Sequence, residues 1–323
     1  MRWSSVSASS ALLALALAAL PGRAETAYVT NQSSSDLSVI DLGQGREVAR
    51  VPVPGQPAGL AVAEALGAVF VVSPETKTVS RLALSDHALT GRLTLDGGPI
   101  GVAVDETGGR LFVSDWFNAR VWVIDAGRLA VTGTLATGAA PAGLALSPDG
   151  RFLVTADRDA DALTVFDAGT LAPLHRIAVG TRPFGLAFSP DGRVFSADVG
   201  SNTVTAADPV TGQVLGKVPT GARPYGIAFA AGRGFVTDQY ADTVTVFDAA
   251  TLAPLATVEV GEYPEGIDTS PDGARVYVAN WFSNTLSVID AASLKVTAEI
   301  ATGDGPRAFG EFVARGRPTC ATC

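Results

Sequence analysis

Between residues 27 and 313 the chain is written in short apolar runs of about four to seven residues, each stopped by Gly, Pro, Asn, Asp or Ser. Residues 181–221 show the unit. Residues 185–188 lead into Ser189-Pro-Asp-Gly192, a sequence suited to a tight turn, and a second run follows at 194–198. Gly200-Ser-Asn202 turns the chain into a third run at 203–208, and Thr211-Gly212 turns it into a fourth at 213–218. The order recurs at 144–179 and at 267–300. Connections of two to five residues join antiparallel strands and leave no room for crossover helices. Several runs are apolar or β-branched on both faces, as in Thr243-Val-Thr-Val-Phe247, which suits a sheet covered on both sides.

The unit has a fixed length. Pro-Xaa-Gly returns at Pro57, Pro99, Pro141, Pro183, Pro224 and Pro264, and Pro306 keeps the interval as Pro-Arg-Ala; the spacing is 40 to 42 residues, and that period predicts radially stacked four-stranded sheets. Residues 27–55 hold three strands before the first Pro-Xaa-Gly, and one strand follows Pro306. Together they make one blade, so the expected fold is all-β: a seven-bladed β-propeller of four antiparallel strands per blade. The strand expected at residues 308–313 closes the ring against the N-terminal three, burying Phe309, Phe312 and Val313 and removing two exposed sheet edges.

Tyr28-Val-Thr-Asn31 with Leu37-Ser-Val-Ile-Asp41, echoed by Tyr277-Val-Ala-Asn280 with Leu286-Ser-Val-Ile-Asp290 and by two Ser-Pro-Asp-Gly turns, resembles the signature of the YVTN-repeat (YncE-like) β-propellers. The resemblance covers nearly all of residues 27–313. It implies seven blades, export from the cytoplasm, and a family mostly without established enzymatic activity, some of whose members are associated with periplasmic quinoprotein oxidation systems. It carries over no catalytic residue.

Residues 1–24 stand apart from the repeats. Arg2 precedes an Ala/Leu run at 11–20, and Gly22-Arg-Ala24 offers small residues for cleavage, so 1–24 reads as a signal peptide and the protein as periplasmic or secreted. The run is too short to span a bilayer, and nothing later approaches that length. The propeller is expected over 25–313 and a tail with a Cys-x-x-Cys pair over 314–323. A formal charge of −9, more negative once the leader is removed, disfavours nucleic acid and anionic lipid as partners. A monomer is expected.

Recurring residues are weighed first as what every blade needs. The second strand ends in Asn31, Ser73, Asp115, Asp157, Asp198, Asp238 and Asn280. These side chains either cap the following turn or, for Asp115, Asp157, Asp198 and Asp238, converge on a cation; the turn is the reading favoured here. The third-strand series Asp41, Asp125, Asp167, Asp208, Asp248 and Asp290 reads as Asx turns. Gly59, Gly101, Gly143, Gly185, Gly226 and Gly266 read as close approaches of backbone near the axis.

Residues that differ between repeats carry the functional candidates. If the strand after Pro-Xaa-Gly is innermost, one face of the disc gathers Arg182, Phe184, Arg223, Tyr225, Tyr263, Glu265 and Arg307, together with Trp116, Phe117, Tyr240, Trp281 and Phe282. Arginine forks beside aromatic rings suit an anionic ligand or an acidic partner segment; the alternative is that the arginines pair with the Asp series and the rings cover blade junctions. His87 and His175 fall on a turn and an outer strand, so His-dependent propeller lyases and lactonases are disfavoured, and Ser/His/Asp catalysis lacks its base. A carboxylate mechanism would have to run through Glu265. Cys320 and Cys323 lack the following His that c-type haem attachment requires and read as a disulfide candidate, with metal delivery the lesser alternative. The expectation is an exported, non-catalytic binding scaffold without a cofactor, serving a periplasmic protein or a small anionic ligand. The runner-up is an accessory protein of a redox or metal-handling system.

Overall fold

A computed structural model describes residues 25–314. The signal-peptide reading of 1–24 and the Cys320/Cys323 pair lie outside the described residues. Seven four-stranded antiparallel sheets are arranged around an axis; six are continuous in sequence, and the seventh joins Val313–Ala314 to Thr26–Asn31, Asp36–Asp41 and Arg46–Pro52. The fold is the seven-bladed propeller that the period predicts.

Each blade begins on the inside. The second and third strands are almost wholly buried, as in Phe152–Asp157 and Ala162–Asp167, because a neighbouring blade covers each face. The fourth strand alternates exposed and covered positions, as in Arg46–Pro52. Apolar clusters therefore form between blades: Phe112, Val121 and Leu135 of one pack with Leu144, Leu153 and Phe166 of the next. Burying each such side chain stabilises the ring by about 1.5–3 kcal/mol, so the favourable contacts accumulate at the junctions.

The recurrent glycines sit where inner strands nearly touch. A Cβ on Gly185 would lie 2.0 Å from the Tyr225 carbonyl oxygen, and one on Gly101 2.5 Å from that of Ala142. Gly310 makes the last contact of the ring, 2.2 Å from the Leu60 carbonyl by the same measure. No side chain fits there. Arginines add a junction device on the opposite face: Arg110, Arg193 and Arg233 donate to the carbonyls of Ala168, Ala249 and Ala291 in the next blade.

Closure differs in detail from the expected strand at 308–313. Only Val313 and Ala314 pair regularly with Ala27 and Thr26, while residues 306–312 weave between two blades: Pro306 bridges Asn31, and Phe309 bridges Gly59. Left-handed backbone at Ala308 (φ 44°) and Gly310 (φ 129°) is incompatible with a continuous strand. Phe312 and Val313 are buried in the closing blade as expected, whereas Phe309 turns to the axis. Asp268 anchors the segment, its carboxylate accepting from the N–H groups of Phe312 (2.8 Å) and Val313 (2.9 Å). The corresponding inner-strand positions, Ala61, Ala103, Ala145, Ala187 and Ala228, are alanine.

Candidate binding site at the channel mouth

The bulge at Pro-Xaa-Gly builds the site. Pro183 pairs with Asp198 and Leu186 with Ser196, so Phe184 and Gly185 together oppose a single residue and the ladder bends. The bend aims the middle residue at the axis. Phe184, Tyr225 and Phe309 meet there with ring centroids 4.4 to 5.6 Å apart and plug one end of the channel. Below the plug lies a cavity of about 520 Å³ lined by inner strands and reaching Pro148 and Pro190 on the opposite face. Phe184, Tyr225 and Glu265 are thus buried beneath the mouth instead of standing open to a ligand, because the bulge turns them inward.

The residue before each proline has the opposite fate. Arg182, Arg223 and Tyr263 adopt left-handed φ values of 54°, 62° and 58°, and their N–H groups donate to Asp161, Asn202 and Asp242 of the preceding blade. Gly305 fills this position in the closing segment, its N–H donating to Asn284. Glycine adopts that conformation without penalty, whereas a long side chain costs about 1 kcal/mol or more. The blades that begin at Pro183, Pro224 and Pro264 nevertheless present Arg, Arg and Tyr.

Arg223 lies 4.7 Å over the Tyr240 ring and donates to its hydroxyl (2.7 Å). Tyr240, Tyr263, Phe282 and Trp281 form a continuous chain of ring contacts of 4.7 to 6.0 Å along the rim. Tyr240 is 62% exposed, Phe282 59% and Phe117 77%. Trp116 bridges rim and plug, touching Phe184 on one side and the Arg158 guanidinium on the other. Three large rings more than half exposed on one face exceed what chain packing requires.

Beneath the rim lies a buried polar group. Arg307 donates to the Tyr225 hydroxyl and to Gln32, and its Nε stands 3.1 Å from Glu265 Oε2. Gln239 donates to Glu265 Oε1 (2.8 Å). Burial raises the Glu265 carboxyl, against the opposing pull of Arg307 and Arg223. Burial also raises the Tyr225 hydroxyl, so it stays neutral and accepts from Arg307. The Arg182 guanidinium makes no ion pair among the described residues, so the pairing of mouth arginines with the Asp series does not form there.

The second-strand carboxylates face their own blades. Asp157 accepts from Thr155, from Thr164 and from the Gly138 N–H; Asp198 and Asp238 take the equivalent threonines. Burial raises all three, Asp238 to about 6. Burial also acts to raise Asp115, but donors from Gly98, Asn118 and Arg120 outweigh it and the net shift is downward. Among the described residues no three His, Cys, Asp or Glu side chains gather to hold a metal ion. The third-strand series caps its turns, as when Asp248 Oδ1 accepts from Ala250 and Thr251. His87 contacts Tyr28, and His175 contacts the Val210 carbonyl from an outer strand, so neither reaches the mouth.

A family model described as Lactonase, 7-bladed beta-propeller, matches residues 125–220. No curated protein matches the chain significantly. Solved structures are similar in fold. A chain described as Kuenenia stuttgartiensis hydrazine synthase has a TM-score of 0.71 at 18% identity, covering 79% of this chain and 89% of that one. A functionally unknown protein from Desulfotomaculum acetoxidans DSM 771 has a TM-score of 0.76 at 16% identity, over 90% and 98%. Dihydro-heme d1 dehydrogenase NirN in complex with DHE has 0.68 at 15%, over 93% and 78%. With 1677 solved chains matching, the architecture is shared too widely to select an activity.

Proposed function

We propose that this protein is an exported, non-catalytic binding scaffold whose Arg/aromatic mouth receives a partner protein or a small anionic ligand. The observation that supports this most is the exposed rim. Phe117, Tyr240 and Phe282 stand more than half in solvent, with Arg223 stacked on Tyr240, in the composition of binding hot spots. Around them the closed ring supplies rigidity, since the pre-proline N–H groups of Arg182, Arg223, Tyr263 and Gly305 are tied to the preceding blade. The test is the combined variant Phe117→Ser, Tyr240→Ser, Phe282→Ser, used to capture partners from periplasmic extract. Loss of capture at an unchanged melting temperature supports the reading; undiminished capture removes it.

A redox accessory role is the second reading. It draws on the fold shared with a hydrazine synthase and a dihydro-heme d1 dehydrogenase, whose activities are those proteins' own, and on Cys320 and Cys323. Mass measurement with and without reductant and metal analysis of purified protein test it. A metal-free protein with inert thiols sets it aside.

A further inference from the structure

Nine buried side-chain polar atoms lack a hydrogen-bond partner among the described residues, and four of them belong to one connected group: Arg223 Nε, Arg307 Nε, Gln239 Oε1 and Glu265 Oε2. Three of the others, on Asn31, Asp238 and Asn280, recur at the same turn of their blades and belong to the fold. The four come from neighbouring blades and the closing segment. Gln239 is 1% exposed and Glu265 5%. Arg307 Nε and Glu265 Oε2 are 3.1 Å apart and attract each other, but the N–H is not aligned on the oxygen, so both keep hydrogen-bonding capacity. Buried polar groups are ordinarily partnered, and a connected set of open donors and acceptors fits a polar guest.

The open atoms prescribe that guest. Two are donors on guanidinium groups, which match a carboxylate, and two are acceptors, which match a hydroxyl or amino group. Two arginines against one glutamate favour a guest of negative or zero net charge. Phe184, Tyr225 and Tyr263 supply apolar faces beside these groups. Arg223 is stacked on the largely exposed Tyr240, so one member of the group adjoins the surface of the mouth.

We infer that this group is a binding cell for a small carboxylate that also carries a hydroxyl or amino donor next to an aryl or alkyl group, the chemistry of an aromatic hydroxy acid or amino acid. The inference rests on the mouth being a binding surface and names the chemistry that surface selects.

Calorimetric titration of the purified protein tests it with 3-phenyllactate and phenylalanine as probes. 3-Phenylpropionate, which lacks the donor, and 3-phenyllactamide, which lacks the charge, are the comparisons. At least one probe is expected to bind about tenfold or more tightly than either comparison, and Arg223→Ala, a change at a partly exposed site, is expected to lose about tenfold or more. Gln239→Leu should bring 3-phenyllactate down to the affinity of 3-phenylpropionate. N-acetylphenylalanine binding in preference to both probes would point to a peptide C-terminus as the source of the same chemistry. No binding of any probe at about 10 mM, equal binding of probes and comparisons, or an Arg223→Ala variant that binds as the parent does would overturn the inference. Capture by the exposed rim is measured in parallel. Capture without probe binding removes the binding cell and leaves the rim reading intact, whereas loss of capture in the rim variant with probe binding retained removes only the rim.

Discussion

Asp238→Asn should stabilise the protein, and only above a definite pH. Burial raises this carboxyl from its ordinary 3.8 to about 6. Below pH 3.8 folded and unfolded chains both hold the proton and the residue contributes no penalty. Between 3.8 and 6 the unfolded chain releases it first, so stability falls as pH rises; above 6 the loss is complete and constant. The difference of about two units corresponds to about 3 kcal/mol. The next blade supplies the replacement, because Asn280 donates from Nδ2 to Thr285 (3.0 Å) and Ser287 (2.7 Å) where Asp238 accepts from Thr243 and Thr245. The threonine hydroxyls can reverse their roles, so Asn fits without a new unpaired atom. Urea unfolding followed by tryptophan fluorescence, at about pH 4 and about pH 7.5, gives the comparison. The variant should match the parent within about 1 kcal/mol at the lower pH and exceed it by up to about 3 kcal/mol at the higher. A gain that does not depend on pH, or a loss at pH 7.5, would refute burial as the cause.

Three further outcomes follow from packing and pairing. Gly185→Ala places a methyl group 2.0 Å from the Tyr225 carbonyl by ideal geometry, so it should cost about 3 kcal/mol in urea unfolding; an unchanged midpoint would show that the inner ring can expand. Asp268→Ala leaves the Phe312 and Val313 N–H groups without their acceptor, at about 1–3 kcal/mol each, and should lower the melting temperature and expose residues 306–314 to protease; unchanged cleavage would show that closure does not need the carboxylate. Glu265→Ala strands Arg307 and should destabilise by about 3 kcal/mol, with Glu265→Leu combined with Arg307→Met recovering most of it in a double-mutant cycle; additive losses would mean that the pair is not coupled.

The framework was legible in the chain because it repeats. Each Pro-Xaa-Gly, each inner glycine and each third-strand Asp answers a need that every blade shares, so period and turn chemistry sufficed to place them. The second-strand Asp residues were read as caps of the following turn; Asp115 does accept from the Phe117 N–H there, but Asp157, Asp198 and Asp238 take hydroxyls of the strands in their own blades. The fate of individual mouth residues was not legible. Whether Phe184 points out or in depends on a bulge that offsets the ladder by one residue, and no local pattern at 183–185 announces it. Closure was read as a strand at 308–313 because apolar spacing there looks regular; left-handed backbone at Ala308 and Gly310 overrides it. Two signals were available in retrospect. Asp268 interrupts a series of five alanines, and Asp161, Asn202, Asp242 and Asn284 recur 21 residues before the pre-proline positions they hold.

Hydrogen exchange on the captured complex addresses the mouth most directly. Slowed exchange is expected at residues 116–118, 239–241 and 281–284, with the turns at 148–150, 190–192 and 271–273 on the opposite face unchanged. Protection confined to those opposite turns would contradict the assignment of this face as the binding surface.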